Sequence, residues 1–230
     1  MTEPEWLAAT DPAPMLHSPG WRPPDRHYPP PLEDPGTCHP RVNDERKLRL
    51  YACACYRLSF PQLQYVMDRR AVDLAERLAD GISSEGELTE VSRKCGATAS
   101  LLIRQPPLHA ARLAVGGLPV RTSSAPGPQE FLPNAVRCDI LRCIFGNPFR
   151  PVEFDPSWCS ETAVALATGI YFDRAFDRLP ILADALEEAG CDHPDVLTHC
   201  RQPGTHARGC WVVDGVLGKE QSAAVAATIS

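Results

Sequence analysis

Proline is distributed unevenly along this chain, and no other feature constrains the fold as strongly. Residues 1–40 contain 11 of the 24 prolines, whereas residues 41–105 contain only Pro61 and three glycines. Proline removes a backbone donor and clashes with the preceding helical turn, so a proline-rich stretch cannot form one continuous helix. The contrast predicts an irregular N-terminal arm over residues 1–40, followed by a helical body.

The arm itself divides into two parts. Thr2 followed by Glu5 is a capping box, and Asp11-Pro12 places a capping carboxylate before a proline at the first helical position. Both patterns predict short helices. The later runs Pro23-Pro24 and Pro29-Pro30-Pro31 favour extended polyproline geometry, which indicates a proline-rich loop at the end of the arm.

Residues 41–218 have the pattern of successive amphipathic helices. Apolar residues recur at helical spacing, and capping residues, glycines and prolines interrupt them at intervals typical of short helices. Alternating β-branched runs, which would indicate strands, are nearly absent from the sequence. We therefore predict a mainly α fold: an irregular multi-helix bundle of short helices, with little or no β-structure. Residues 41–218 are the predicted helical domain, and residues 219–230 are a predicted flexible C-terminal tail.

Composition argues against several classes of function. The net charge of −6 disfavours a role of the whole protein in binding nucleic acid. No stretch approaches the roughly 20 apolar residues of a membrane span. Residues 1–6 are acidic and lack the apolar segment of a secretory signal. We therefore expect a cytoplasmic protein whose ten cysteines are reduced.

The sequence signatures of common catalytic and nucleotide-binding sites are missing. The chain has no P-loop, no G-x-G-x-x-G, no G-x-S-x-G and no H-E-x-x-H. The first hypothesis is therefore a non-enzymatic helical protein that binds another protein or acts as a scaffold. It would expose an apolar patch near Trp158, Phe172 and Phe176. An enzyme of unrecognised class remains an alternative.

A second alternative is a small zinc-stabilised domain, because residues 191–210 are dense in potential ligands. Cysteine and histidine are the side chains that zinc prefers. His199 and Cys200 are adjacent on a predicted helix, so their side chains point about 100° apart and are not expected to bind one ion together. A zinc site would therefore use either His199 or Cys200, together with Cys191, His206 and Cys210. In the competing interpretation, these cysteines are small core residues and the histidines, His193 included, cap helices or lie in loops.

The remaining cysteines fit a structural role. Cys53 and Cys55 are two residues apart on a predicted helix, so they face nearly opposite ways. Cys138 and Cys143 are five residues apart, which is about 140° around a helix. Neither pair forms a chelate or a redox pair on one helix face, so all four are predicted to be core residues.

Several longer strings resemble an uncharacterised protein family of planctomycete (Gemmata-type) genomes. The strings that carry the resemblance lie at residues 5–16, 46–55, 144–151, 175–186 and 209–214. The resemblance implies a bacterial, cytoplasmic protein, and it brings no activity, cofactor or catalytic residue. The chain departs from the family pattern at residues 17–40, where the proline-rich stretch replaces a shorter join.

Overall fold

The computed structural model describes residues 1–16, 45–58, 66–94, 102–104, 106–115 and 132–219. Within these ranges the chain forms short helices and no strand, which confirms the expected mainly α fold. The predicted proline-rich loop lies outside the described residues. So does the predicted C-terminal tail from residue 220 onward.

The chain divides into two compact units. Unit 1 comprises Met1–Leu141 and Asn147–Phe149, and unit 2 comprises Arg142–Gly146 and Arg150–Ser230. The stretch predicted as one helical domain, residues 41–218, thus contributes to both units. The first 16 residues of the arm pack into unit 1, where Trp6, Met15 and Leu16 are fully buried.

Unit 1 is organised around its third helix. Its helices are α1 (Glu3–Ala8), α2 (Pro12–Met15), α3 (Glu45–Leu58), α4 (Val66–Ala79), α5 (Glu85–Lys94) and α6 (Pro107–Val115). Helix α3 packs against α4 and α6, and α5 packs against α4. Helix α7 (Asn134–Phe145) begins in unit 1, and its last residues belong to unit 2.

Local capping explains where the first two helices begin. The backbone N–H of Thr2 donates to Glu5 Oε2 over 2.7 Å, as the capping box requires. Asp11 Oδ1 accepts from the backbone N–H of Ala13 over 3.0 Å, directly before Pro12. Both helices predicted for the arm are therefore confirmed.

The described part of unit 2 contains four α-helices and the end of α7, together with short 3-10 turns at Pro156–Trp158 and Phe176–Arg178. The four α-helices are α8 (Glu161–Asp173), α9 (Leu179–Glu188), α10 (Pro194–Arg201) and α11 (Trp211–Val216). Helix α9 packs against α8 and α10, and α11 packs against the same two helices. Their inward faces form one apolar core that includes Ile170, Leu182, Leu186, Val196 and Val212. Residues 202–210 cross from α10 to α11 without regular structure.

Candidate metal centre

Four side chains with metal-binding atoms converge in unit 2. They belong to Cys143, His199, His206 and Cys210, and their ligand atoms all lie within 4.8 Å of one another. Cys143 Sγ lies 3.5 Å from His206 Nδ1, and His199 Nε2 lies 3.2 Å from Cys210 Sγ. The cluster thus pairs each sulfur with one imidazole.

Three helices and one loop position these four residues. Cys143 lies near the end of α7, and His199 lies in the last turn of α10. Cys210 is the residue before α11, and its side chain does not cap that helix. His206 lies in the loop between α10 and α11. That loop folds back on itself because the N–H of Cys210 donates to the carbonyl of Ala207 over 3.0 Å.

The separations match a tetrahedral zinc site. Zinc binds sulfur at about 2.3 Å and imidazole nitrogen at about 2.0–2.1 Å, so neighbouring ligand atoms in a tetrahedron lie roughly 3.3–3.8 Å apart. The two shortest nitrogen–sulfur separations, 3.2 and 3.5 Å, are close to this range. Every other pair of ligand atoms lies within 4.8 Å. Small side-chain rotations would therefore bring the four atoms to the distances of a tetrahedral site.

The two sulfurs of the cluster have different proton affinities. Burial raises the pKa of the Cys143 thiol well above its usual value, and the neighbouring Cys210 and Asp214 add to this effect. Burial acts on Cys210 in the same direction. Interactions of Cys210 with Cys143, His199 and His206 outweigh that burial and hold the pKa of Cys210 well below its usual value. The imidazoles next to Cys210 thus favour its deprotonated form, and a metal requires the thiolate form of each cysteine that binds it.

The structure brings together three of the five predicted site residues. His199, His206 and Cys210 lie in the cluster, whereas Cys191 and Cys200 do not. Cys200 follows His199 on α10 and points about 100° away from it. Both excluded cysteines are only 1% exposed and belong to the apolar core of unit 2. Burial raises the pKa of each, so they are ordinary protonated core thiols.

His193 has the capping role of the competing interpretation. Its side chain Nδ1 accepts from the backbone N–H of Asp195 over 3.3 Å, and Pro194 occupies the first position of α10. This capping interaction uses a ring nitrogen and places His193 outside the cluster.

Cys143 is the member of the cluster that the sequence predicts to be a core residue. Its angular separation from Cys138 excludes a pair on one helix face. The side chain of Cys143 instead contacts His206, which lies 63 positions further along the chain. No local spacing signals that contact, because it joins the end of α7 to the loop of residues 202–210, which is distant in sequence.

The three residues around which the sequence predicts an apolar patch, Trp158, Phe172 and Phe176, differ in exposure. Trp158 and Phe176 are partly buried and pack against the core of unit 2. Phe172 is 53% exposed, and Ile181 on α9 is 54% exposed.

Within the described part of the chain, no helix has the length and apolar character needed to cross a membrane.

We compared the chain with protein-family models, with curated proteins and with solved structures, and none of these comparisons returned a match. The resemblance to the planctomycete family therefore stays a prediction. Function has to be inferred from the geometry of the cluster.

Proposed function

We propose that unit 2 is a zinc-stabilised helical domain in which Cys143, His199, His206 and Cys210 bind one Zn²⁺. The observation that carries the proposal is the convergence of two sulfurs and two imidazoles within 4.8 Å, from three helices and a loop. This donor set is the Cys₂His₂ combination of structural zinc sites.

The role of such an ion would be structural. Four protein ligands fill a tetrahedral zinc, so no coordination position remains for water or substrate. Both sulfurs are almost completely buried, with Cys143 2% exposed and Cys210 fully enclosed. A site with four protein ligands and two buried sulfurs supports the hypothesis of a non-enzymatic protein.

Zinc would stabilise the part of unit 2 that has the least regular structure. Residues 202–210 have no helix of their own, and two of the ligands, His206 and Cys210, lie within that stretch. Binding would tie this loop to the ends of α7 and α10. In structural zinc sites the free energy of metal binding contributes directly to folding.

Zinc content tests this proposal. We expect the purified wild-type protein, loaded with zinc and then desalted, to retain one equivalent by elemental analysis. Cys143→Ala and His206→Ala should retain less than about 0.2 equivalents, because three ligands cannot complete a tight structural site. The matched controls Cys191→Ala and Cys200→Ala remove buried cysteines outside the cluster and should retain one equivalent.

Two results would contradict the proposal. One is a folded wild-type protein, verified by circular dichroism, that retains less than a tenth of an equivalent. The other is a loss of zinc in Cys191→Ala or Cys200→Ala as large as the loss in Cys143→Ala. The second result would restore the ligand set expected from the sequence.

We further propose that the stabilised domain serves protein interaction in the cytoplasm, where zinc-binding thiols stay reduced. The exposed aromatic side chain of Phe172 on α8 supports this role.

A photo-crosslinking amino acid at position 172 should give a defined protein adduct in cells. The control is position 82, where Ile82 is 54% exposed in unit 1. Absence of adducts at 172, or equal adducts at 82, would count against the role.

A further inference from the structure

No carboxylate or backbone carbonyl in the described part of the chain accepts a hydrogen bond from the imidazoles of the cluster. Such a histidine ordinarily donates its second ring N–H to a carboxylate or to a backbone carbonyl, which fixes the ring plane. Among the described residues, the hydrogen bonds of His199 and His206 go to the sulfurs of the cluster. Contacts of a different kind, between rings, are present at both imidazoles.

Each imidazole packs against one aromatic side chain. The ring of His199 lies 5.4 Å from the ring of Trp211, with the planes tilted by 57°. The ring of His206 lies 6.4 Å from the ring of Phe176, with the planes nearly parallel at 28°. The two imidazoles also meet each other edge to face at 5.0 Å. These contacts define the plane of each imidazole.

Trp211 is itself held in place by its surroundings. Phe154 packs edge to face against it at 6.0 Å. Gly146 also lies close to Trp211, since a Cβ atom at that position would come within 3.1 Å of the indole. Phe154 in turn lies so close to Gly215 that a Cβ there would approach its ring to 2.1 Å. Because Gly146 and Gly215 have no side chain, Trp211 and Phe154 have the space to pack next to each other, with Trp211 in contact with His199.

Fixing these rings matters because the terminal torsion of histidine is soft. Rotation about the bond to the imidazole has a broad energy minimum. A metal needs the nitrogen lone pair, which lies in the ring plane, to point at the ion. A histidine that rotates freely must lose that freedom when the ion binds, and this lowers the affinity.

We propose that Trp211 and Phe176 are positioning residues of the metal site, which orient His199 and His206 for zinc by ring packing in place of hydrogen bonds. This inference rests on the proposed zinc binding. Changes to groups that orient metal ligands typically cost about 10–100-fold in metal affinity. We expect a loss of roughly tenfold for Trp211→Leu and for Phe176→Leu.

The test measures metal binding in the full-length protein. Zinc affinity is obtained by competition with a chromophoric chelator, and the geometry is read from the visible absorption of bound Co²⁺. Trp211→Phe keeps an aromatic ring and should restore much of the affinity lost in Trp211→Leu. Phe172→Leu is the matched control for Phe176→Leu, because Phe172 is exposed in the same unit and contacts neither histidine.

The expected result is weaker zinc binding and a weaker tetrahedral Co²⁺ absorption per bound ion in Phe176→Leu and Trp211→Leu, with Phe172→Leu unchanged. Wild-type affinity in both leucine variants would overturn the positioning role and leave the zinc site standing. A wild-type protein that binds no zinc would overturn both. Since Trp211 is a core residue, circular dichroism is recorded for each variant, and Phe176→Leu decides the question if Trp211→Leu does not fold.

Discussion

The described cysteines differ in chemistry because their neighbours differ, even though nearly all of them are buried. Cys143 and Cys210 meet imidazoles, whereas Cys191 and Cys200 meet the apolar side chains of unit 2. In unit 1, burial raises the pKa of Cys55 to about 12. Burial alone therefore does not distinguish a candidate metal-binding cysteine from a core cysteine. The distinguishing feature is whether imidazole side chains lie next to the sulfur.

Cys55 and Cys159 should differ sharply in alkylation. At pH 8 a thiol whose pKa is near 12 is almost entirely protonated, and the thiolate is the reactive form. Cys55 should therefore resist iodoacetamide, while Cys159, the described cysteine that is not buried, should react faster than Cys55. Peptide mapping by mass spectrometry after timed labelling measures both. Urea-unfolded protein should label the two sites equally, and faster labelling of Cys55 in the native protein would contradict its burial.

The ion pair between Arg57 and Glu76 offers a second test in unit 1. Arg57 donates from Nε and Nη2 to the two carboxylate oxygens of Glu76, over 2.6 and 3.0 Å, and Glu76 is 1% exposed. Removing one partner of a buried pair typically costs about 3–5 kcal/mol, so Glu76→Ala should lower the free energy of unfolding by about 3 kcal/mol. Asp73, a second partner of Arg57, is 52% exposed, and Asp73→Ala should cost at most about 1 kcal/mol. Equal losses in urea denaturation would refute this ranking.

At the scale of single helices, most boundaries were predictable because local chemistry sets them. Capping residues and prolines mark the beginnings of α2, α6 and α10, and Gly81 and Gly190 adopt positive φ directly after α4 and α9. Close packing between elements was not predictable in this way. Gly215 carries no local signal that Phe154 lies against it, since that contact joins segments that are distant in sequence.

Two glycines that lie inside helices should respond to alanine with opposite signs. Gly215→Ala in α11 would place a Cβ 2.1 Å from the Phe154 ring, and such overpacking typically costs about 1–3 kcal/mol. Gly86 in α5 has nothing within 4 Å of the added atom, so Gly86→Ala should stabilise by about 0.5–1 kcal/mol through helix propensity. Thermal unfolding of the two variants measures both effects. A Gly215→Ala protein as stable as Gly86→Ala would show that Phe154 does not pack as described.

At the scale of the whole molecule, sequence reasoning located three of the four residues of the candidate site. The Cys/His-rich segment contains three of the four converging residues, His199, His206 and Cys210. Their spacing could not reveal the fourth, because Cys143 comes from a helix far earlier in the chain. Nor could spacing exclude Cys191 and Cys200, whose burial follows from the packing of α9 and α10.

Metal removal should affect the two units unequally. All four cluster residues belong to unit 2, so chelation of zinc should increase amide hydrogen exchange in α10, residues 202–210 and α11. Exchange in α3 and α4 of unit 1 should stay within error of the zinc-loaded protein. Mass-resolved hydrogen exchange before and after treatment with a chelator measures this. An equal increase in α3 would show that the ion does not act locally in unit 2.

The most direct measurement of the central claim is X-ray absorption at the zinc edge of the loaded protein. The account predicts a four-coordinate ion with two sulfurs at about 2.3 Å and two imidazole nitrogens at about 2.0–2.1 Å. The Cys143→Ala variant should lose that signal. Three or four sulfurs would indicate that Cys191 or Cys200 binds the ion, and a shell of oxygen and nitrogen alone would indicate surface binding. Either result would contradict a zinc site formed by Cys143, His199, His206 and Cys210.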